Sequence, residues 1–375
     1  MSRPSATEQR RVEVNAKLTK VRAWLDEARL DGVLLGSQAN FAWITAGGHD
    51  HISIGENAGI ASVLVTRDRA HILTTNIEAR RLSDEEIEEL PFEIHAYPWY
   101  EPDALRKRVD DACDPATTVG DGAIDGWPVA DSTLTQLRYA MSAPEVDRYR
   151  ALGRDAATAV EVACRAARPG VSELDIAARV AFECVQRNIL PLVNLVAADE
   201  RIASYRHPLP TSKRLARTLL VALTGRRHGL HASLTRMVRL GRPDEDLVKR
   251  HAAVARVDSV EILASRPGRS LGDAMKKGMD QYAAEGWPDE WKLHHQGGLT
   301  GYAGREIFAT ETTSHVLEPG YVVAWNPSIT KVKSEDTVLI TEDGFEVLTR
   351  TGEWPEDQVA VDGNSMARPA LWISE

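Results

Sequence analysis

Residues Leu219–Val238, LLVALTGRRHGLHASLTRMV, form two apolar runs separated by a short polar stretch. Apolar runs that are interrupted by turn residues predict a β-hairpin, made here by RTLLVALTG and GLHASLTRMVRLG. His228 and His231 lie three residues apart around the predicted turn, a spacing that fits either a metal clip or two solvated side chains. The hairpin is therefore the first candidate frame for a functional site.

The composition describes a globular protein of two domains. The chain has 375 residues, 43% of them hydrophobic and 27% charged, which is more than one ordinary core needs. A formal net charge of −10 offers no basic field for phosphate, so we expect no nucleic-acid partner. No run of about 18 apolar residues occurs, so we expect no membrane span. Cys113, Cys164 and Cys184 are scattered and the first residues lack a secretory pattern, which predicts a reducing, cytoplasmic location.

The first 140 residues alternate helical and strand patterns. Helical spacing covers residues 12–30, and the short apolar run VLLG follows Gly32. ASVLVTRD, AHILTTN and EIHAYPWY have the composition of strands. RLSDEEIEEL predicts a helix capped by Ser83, with acidic residues in its first turn. Residues 1–140 therefore predict a mixed α/β domain.

A change of character near residue 141 marks the predicted domain boundary. Ser142, followed by Pro144 and Glu145, is typical of a helix start, and helical spacing then continues with one Pro-Gly break. Another helix is predicted over residues 244–264. Short strands follow in HHQGGLTGY, GYVVAWNPSI and DTVLITEDGFEVLT, the last with a tight TEDG turn. Residues 141–375 thus form a second predicted domain, and the fold class is α/β (α+β).

Segments spread over most of the chain resemble one known family. VRAWLDEARLDGVLLGSQANFAWITAG is similar to the start of the N-terminal domain of the creatinase, aminopeptidase P and prolidase family. APEVDRYRALGRDAATAV is similar to the opening helix of its C-terminal domain. The resemblance implies a creatinase-type α/β domain over residues 1–140 and a catalytic domain of the pita-bread fold over residues 141–375. It also implies a homodimer that acts on a small molecule or a short peptide.

The metallopeptidases of this family hold two metal ions with two Asp, one His and two Glu residues. Two cations that share a site need bridging carboxylates, so this ligand set tolerates little change. Matched to that pattern, the ligand positions are occupied here by Ala222, Ser233, Gly298, Asn326 and Glu335. Ala and Gly offer no side-chain donor, so one retained carboxylate of five cannot hold a metal pair. The resemblance therefore predicts that the protein works with no metal and no other cofactor.

Creatinase, a member of this family that works without metal, indicates which residues take over the chemistry. Its proton-carrying histidine lies in a stretch that resembles YRHPLPTSKR, so His207 is the predicted proton shuttle. An imidazole titrates near neutral pH and suits that role; a loop histidine bonded to the backbone is the alternative. Glu335 is predicted to orient water or bind a cationic group, or else to form a salt bridge with Arg236 or Arg305. His294 matches a substrate-side histidine of the family and completes the predicted catalytic set.

Four further residues are predicted to bind substrate: Arg305, Arg236, Asn326 and His295. The two arginines are candidates for a bidentate grip on a carboxylate, or for structural ion pairs. The Asn326 amide can stabilise developing charge, or cap the end of a strand. His294 and His295 are adjacent, and neighbours in a strand point to opposite faces, so only one of them is expected in the pocket.

Phe41, Trp43, His49 and His51 lie around a predicted turn in the first domain. In the family that the chain resembles, the N-terminal domain of one subunit can cover the active site of its partner. The resemblance therefore allows these residues to line the pocket in trans. Ordinary core and loop positions are the alternative, and the favoured one.

Three functions follow from these residues. The first is metal-independent hydrolysis or lysis of a C–N bond in a small, carboxylate-bearing molecule, with His207 as the proton shuttle. Thr235 stands where creatinase has a glutamate, so creatine itself is not the expected substrate. The second is an Xaa-Pro aminopeptidase or dipeptidase in which His207, His231, His295 and Glu335 rearrange around one cation. The third is a non-catalytic protein that binds a peptide or small molecule.

Overall fold

The computed structural model describes residues 5–361 and 363–374. The chain divides into two compact units between Arg138 and Tyr139, where the sequence predicted a boundary after residue 140. Within the described ranges, no helix is both long and apolar enough to cross a membrane. The three cysteines, at positions 113, 164 and 184, are free thiols.

The first unit contains a five-stranded mixed sheet with helices packed around it. Its helices are α1 (Ala6–Ala28), α2 (Gln38–Ile44), α3 (Ala79–Arg81), α4 (Ala104–Ala112) and α5 (Ser132–Gln136), and its strands are β1 (Gly32–Ser37), β2 (Ala58–Thr66), β3 (Ala70–Thr75), β4 (Glu93–Tyr97) and β5 (Thr118–Gly120). The strands lie in the order β4-β3-β2-β1-β5. The three central strands are antiparallel, whereas β4 and β5 pair in parallel at the two edges.

Two helix starts differ from the predicted ones, and local hydrogen bonds explain both differences. The hydroxyl of Ser5 accepts a hydrogen bond from the backbone N–H of Glu8, so α1 starts earlier than the predicted residue 12. The helix predicted to be capped at Ser83 is wrong. A helical turn is already running from Ala79, and the Ile87 N–H then donates to the Leu82 carbonyl five residues back, as in a π-helix. Ser83 therefore lies inside the turn, where no free N–H group needs a cap.

Helix α2 carries two large aromatic side chains into the core of the first unit. Phe41 and Trp43 are buried, with exposed fractions of 0% and 2%. Burial of a ring of this size stabilises a fold by roughly 2–3 kcal/mol. This burial supports the interpretation of both residues as core positions of their own unit. His49 and His51 follow the helix, and their rings meet edge to face with centroids 5.5 Å apart.

Among the described residues, the second unit contains several short sheets and five α-helices. Its helices are α6 (Ala143–Arg165), α7 (Glu173–Val185), α8 (Glu200–Ser204), α9 (Glu245–Ala264) and α10 (Leu271–Ala284). Its strands are β6 (Leu190–Ala198), β7 (Thr218–Arg227), β8 (Leu230–Leu240), β9 (Gly297–Thr300), β10 (Ile307–Phe308), β11 (Val322–Trp325), β12 (Ser328–Ile329), β13 (Val332–Lys333), β14 (Asp336–Thr341), β15 (Gly344–Val347), β16 (Glu356–Val361), β17 (Asn364–Pro369) and β18 (Trp372–Ser374).

Both predicted hairpins of this unit are present. β7 and β8 pair without a break from Thr218 opposite Arg239 to Arg227 opposite Leu230. β14 and β15 pair across the TEDG turn. The larger sheets have the strand orders β18-β8-β7-β6 and β10-β9-β11-β14-β15, while β12-β13 and β16-β17 are two-stranded. The predicted helix start at Ser142 is also confirmed, because its side chain and that of Glu145 form a reciprocal cap.

A pair of contacts joins the two larger sheets where the site lies. The Thr235 N–H of β8 donates to the Glu335 carbonyl at 3.1 Å, just before β14 begins. The Thr337 hydroxyl donates to the Ser233 carbonyl at 2.9 Å and accepts from the Ser233 N–H at 2.8 Å. The hairpin is thus held against the segment that carries Glu335.

Apolar packing fixes the hairpin from one side. Leu220, Ala222 and Met237 of the hairpin belong to one buried cluster with Val254 and Val257 of α9. Because close-packed interiors resist displacement, side chains on these strands keep fixed positions relative to one another.

Candidate active site

A cavity of about 360 Å³ lies against the β7–β8 hairpin. Five of the predicted site residues line it: His207, His295, Arg305, Asn326 and Glu335. The remaining lining includes Ala222, Thr224 and His231 of the hairpin and Lys333 of β13. Residues separated by more than 100 positions in the chain therefore converge on one polar pocket.

Glu335 is surrounded by positive charge that the chain itself supplies. One carboxylate oxygen accepts from Lys333 Nζ at 2.8 Å and from the Thr235 hydroxyl at 2.8 Å. The other lies 3.6 Å from Arg305 Nη2. Burial raises the pKa of Glu335, but the charges of Lys333 and Arg305 and the hydrogen bonds from Lys333 and Thr235 outweigh it, so the pKa is lowered. Glu335 is therefore ionised at neutral pH.

Lys333 is the site residue that sequence reasoning missed. It is buried, with an exposed fraction of 8%, and buried lysines are paired or functional. The signal was present in the stretch KVKSEDT, because residues two apart in an extended chain share a face. Lys333 and Glu335 follow that spacing, although strand β13 ends between them.

The five positions matched to metal ligands do not fit a metal pair. Ala222 has no donor atom, and the Ser233 hydroxyl is hydrogen-bonded to the Thr224 hydroxyl at 2.9 Å. Asn326 offers a neutral amide instead of a bridging carboxylate. The one retained carboxylate, Glu335, already has two cationic neighbours. These five positions therefore offer groups that suit a polar organic ligand and not a pair of metal ions.

Gly298, which the sequence comparison matched to the family's histidine position, is constrained by its backbone. It has φ +143°, a conformation that side-chain-bearing residues rarely adopt. A Cβ atom placed on it would overlap the carbonyl oxygen of Ile307 on the neighbouring strand. The chain therefore leaves no room for any side chain at this point.

The variant Gly298→Ala is expected to lower the free energy of unfolding by about 3 kcal/mol, because it combines backbone strain with overpacking. Urea unfolding measures the change. Gly344→Ala is the matched control, since a Cβ atom there meets open space and should change stability by less than about 0.5 kcal/mol. Equal stability of the two variants would contradict the steric argument.

Three histidines form a connected group at the cavity. The Nε2 atoms of His207 and His294 are 3.0 Å apart, and the His294 and His295 rings stack with centroids 4.4 Å apart. Burial is the main cause that lowers the pKa of His207, and the Lys333 charge adds to it. Burial likewise lowers the pKa of His294 to about 3 and that of His295 to about 4. All three rings are therefore neutral at pH 7, and of the two Nε2 atoms of His207 and His294 one donates a hydrogen bond to the other.

The expected alternation of His294 and His295 is only half right. His295 lines the cavity, and His294 is buried behind it, as alternation suggests. Strand β9, however, begins only at Gly297, so the two rings are not constrained to opposite faces of a strand. They stack instead, and His294 reaches His207 from the interior. His294 is therefore placed to fix the orientation of the His207 ring through their hydrogen bond.

Two buried polar atoms at the cavity lack a hydrogen-bond partner among the described residues. They are Arg305 Nε, a donor, and Asn326 Oδ1, an acceptor. A buried polar group without a partner costs about 1–3 kcal/mol, so a native protein normally retains it for a purpose. The pair offers a bound molecule one positively charged donor and one neutral acceptor.

Arg236 lies elsewhere, which corrects its predicted position in the substrate pocket. Its guanidinium donates to Asp336 at 3.1 Å and to the Thr349 carbonyl at 2.6 Å. Asp336 also pairs with Arg368 at 2.8 Å in the interior of the unit. Neighbours on β8 point to opposite faces, so Thr235 reaches the cavity side and Arg236 reaches this ion-pair network.

His231 is a buried member of β8, not part of a metal clip in the turn. Its ring Nδ1 donates to the Gly301 carbonyl at 3.3 Å. Burial, followed by the charge of Arg226, lowers the pKa of His231 to about 3. His228 lies in the turn itself with φ +52°. His231 therefore contributes a neutral polar wall to the cavity.

Known proteins of similar sequence and structure include peptidases from several bacteria. An uncharacterized peptidase of Staphylococcus aureus (strain MW2) is 24% identical over 360 residues, covering 88% of this chain and 99% of the relative. One from Staphylococcus haemolyticus is 26% identical over 58% of this chain, and the match spans 65% of that relative's length. The solved Xaa-Pro dipeptidase from Bacillus anthracis superposes with a TM-score of 0.75 at 20% identity, covering 96% of this chain and 100% of that one.

Two family models match the chain, and the one that covers more than half of it places the protein in the class of hydrolases that act on C–N bonds. The Creatinase/Prolidase N-terminal domain matches residues 17–150, and Metallopeptidase family M24 matches residues 147–342, more than half of the chain. The protein therefore belongs to metallopeptidase family M24. The predicted family and the predicted fold, a creatinase-like domain followed by a pita-bread domain, are both confirmed.

Proposed function

We propose that this protein hydrolyses a C–N bond in a small carboxylate-bearing molecule or short peptide without a metal ion, using His207 as the proton carrier. The observation that carries the proposal is the charge arrangement at Glu335. The one carboxylate retained from the family's ligand set is paired with Lys333 and lies beside Arg305. The positive charge beside Glu335 thus comes from the side chains of Lys333 and Arg305, in the place where the family's peptidases hold metal ions.

His207 supplies the proton transfers in this proposal. Its neutral ring accepts a proton from a water molecule as the water oxygen bonds to the electrophilic carbon. The C–N bond then breaks, and the same proton passes from His207 to the departing nitrogen. His294 acts as a positioning residue, because its hydrogen bond to His207 fixes the ring during both transfers.

The other polar residues of the cavity hold the substrate and its developing charge. Arg305 binds the substrate carboxylate through its unpartnered Nε–H, a role that the sequence assigned to Arg305 or Arg236. Asn326 Oδ1 accepts a hydrogen bond from a substrate N–H group. Lys333 faces the reacting centre and stabilises the oxyanion that forms there. Assembly as a homodimer and a cytoplasmic location stay predictions.

Activity is expected to survive removal of metal ions. After prolonged dialysis against EDTA, kcat on a responsive substrate should change by less than about twofold, because no step uses a cation. The substrate panel contains Xaa-Pro dipeptides and small amide and guanidino carboxylates, with release of amine or ammonia as the readout. Loss of activity that Zn²⁺ or Mn²⁺ restores would contradict the proposal. Tight binding of a panel member without turnover would favour the non-catalytic alternative.

A single-metal Xaa-Pro peptidase is the second candidate, and one observation favours it. The ligand atoms of His207, His294 and His295 lie within 4.8 Å of one another, and neutral imidazoles bind Zn²⁺. This candidate differs from the predicted rearrangement, which used His231 and Glu335. Metal analysis of the His294→Ala variant separates the two candidates. Loss of both bound zinc and activity would favour the peptidase, whereas unchanged chelator resistance in the wild type would favour the metal-free enzyme.

A further inference from the structure

Three metal-binding side chains meet on one face of the sheet in the first unit. His71 lies on β3, and Glu93 and His95 lie on β4. His71 Nδ1 is 3.0 Å from His95 Nε2, and Glu93 Oε2 is 3.6 Å from each of these nitrogens. Two imidazole nitrogens and one carboxylate oxygen therefore form a compact triangle.

The strand register produces this triangle. β3 and β4 are parallel neighbours, with His71 opposite Glu93 and Leu73 opposite His95. Residues two apart in a strand share a face, so all three ligand side chains project from the same side. Leu73 projects there too and packs in an apolar cluster with Val109 of α4. The ligand face is thus anchored to the core of its unit.

The triangle has the size of a zinc coordination shell. Zn²⁺ binds imidazole nitrogen and carboxylate oxygen at about 2.0–2.2 Å, which separates neighbouring ligand atoms by about 3.3–3.6 Å in tetrahedral geometry. Two of the observed separations, at 3.6 Å, lie at the upper end of that range, and the third, at 3.0 Å, lies below it because the two histidine nitrogens are hydrogen-bonded to each other. A bound ion would replace this hydrogen bond and move the two nitrogens apart by a few tenths of an ångström.

The surroundings suit a cation with an open coordination position. A cavity of about 330 Å³ is lined by both histidines together with Asp68, Arg108 and Asp111. The Glu93 side chain is exposed to solvent, with an exposed fraction of 58%. Space for a water molecule or a small ligand is therefore present beside the triangle.

We propose that His71, Glu93 and His95 form a binding site for a divalent transition-metal ion, with zinc as the expected occupant. Two histidines and one carboxylate are a ligand set that zinc enzymes use, and three protein ligands leave one position open. That position faces the cavity and takes water or a small anionic ligand. The site shares no residue with the His207 cavity, so it stands independently of the proposed hydrolytic function.

The test measures zinc binding to the full-length protein without an affinity tag. Wild type, His95→Ala and His294→Ala are stripped with chelator, desalted and titrated with Zn²⁺ by calorimetry and against a chromophoric competitor. Wild type and His294→Ala are expected to share a tight site that holds one zinc ion per chain. His95→Ala is expected to weaken that site by at least about a hundredfold, since it removes a ligand. His294→Ala is the matched control because it removes an imidazole from the separate group formed by His207, His294 and His295.

X-ray absorption of the zinc-loaded His294→Ala protein is expected to show two imidazole ligands and oxygen ligands at about 2.0 Å. Glu93→Gln provides a second variant at an exposed position, and it should weaken zinc binding without affecting the circular dichroism spectrum. Equal zinc affinity in wild type and His95→Ala would overturn the proposal. So would zinc binding that disappears only in His294→Ala, or an absence of tight binding in the wild type.

Discussion

Replacing His207 with alanine is expected to lower kcat by about 10²–10⁴-fold, the usual loss when a general acid–base group is removed. The side chain is exposed at the cavity, so its removal should cost the fold less than about 1 kcal/mol. Steady-state kinetics on a responsive substrate from the panel gives kcat and KM, and urea unfolding confirms that the variant is folded. A kcat within threefold of the wild type would remove His207 from the mechanism.

The pH profile distinguishes a proton carrier from a structural residue. His207 has a pKa below 6.5, and only its neutral form accepts a proton. Wild-type kcat/KM is therefore expected to be constant near neutral pH and to fall as the pH drops through that pKa. This acidic limb should disappear in His207→Ala. His295→Ala is the matched control, because it removes an exposed ring of the same cavity and should raise KM more than it lowers kcat.

Replacing Lys333 with methionine is expected to lower the free energy of unfolding by about 3 kcal/mol, since it removes one partner of a buried ion pair. The Glu335 carboxylate would keep the Thr235 hydroxyl and the more distant Arg305, at 3.6 Å. Methionine fills a similar volume, so the change reports charge and not an empty space. Urea unfolding at pH 7.5 measures it. A variant as stable as the wild type would show that Lys333 does not neutralise Glu335.

The pH dependence of this variant has a defined sign. Glu335 has a lowered pKa in the folded wild type, so it contributes stability above its unfolded pKa of about 4.5 that is lost as the pH falls through the folded pKa. Removal of Lys333 raises the pKa of Glu335 in the folded protein and removes the contribution of Glu335 to stability. The stability difference between variant and wild type should therefore be largest near neutral pH and shrink toward pH 4. The Lys333→Met/Glu335→Gln double variant should be more stable than the two single losses predict, by about 1 kcal/mol or more.

Local patterns were sufficient for the hairpins and for the helix starts at Ser142 and Asp244. The β7–β8 and β14–β15 pairs were predictable because apolar runs flank a turn within one short stretch. The cap at Ser142 was predictable because its partner Glu145 lies three residues away. The prediction at Ser83 was wrong because the deciding information lies outside the local pattern. Whether a serine starts a helix depends on whether the chain before it is already helical, and the pattern RLSDEEIEEL does not contain that information.

Family position and chemistry selected His207, Arg305, Asn326 and Glu335, and the structure brings these four residues to one cavity, while their roles stay predictions. Arg236 was misplaced because assignment to the pocket requires the strand register, and one step along β8 turns a side chain to the other face. Lys333 was missed because a family pattern of metal ligands has no position for a cation. The grouping of His71, Glu93 and His95 depends on how β3 pairs with β4, across the intervening residues 76–92, and no local pattern specifies that pairing.

The backbone at Gly298 also limits what engineering can do with this pocket. A histidine introduced at that position alone would meet the neighbouring strand, so the chain would lose stability without gaining a cofactor. Building a metal centre here would require a new strand path and several new side chains together.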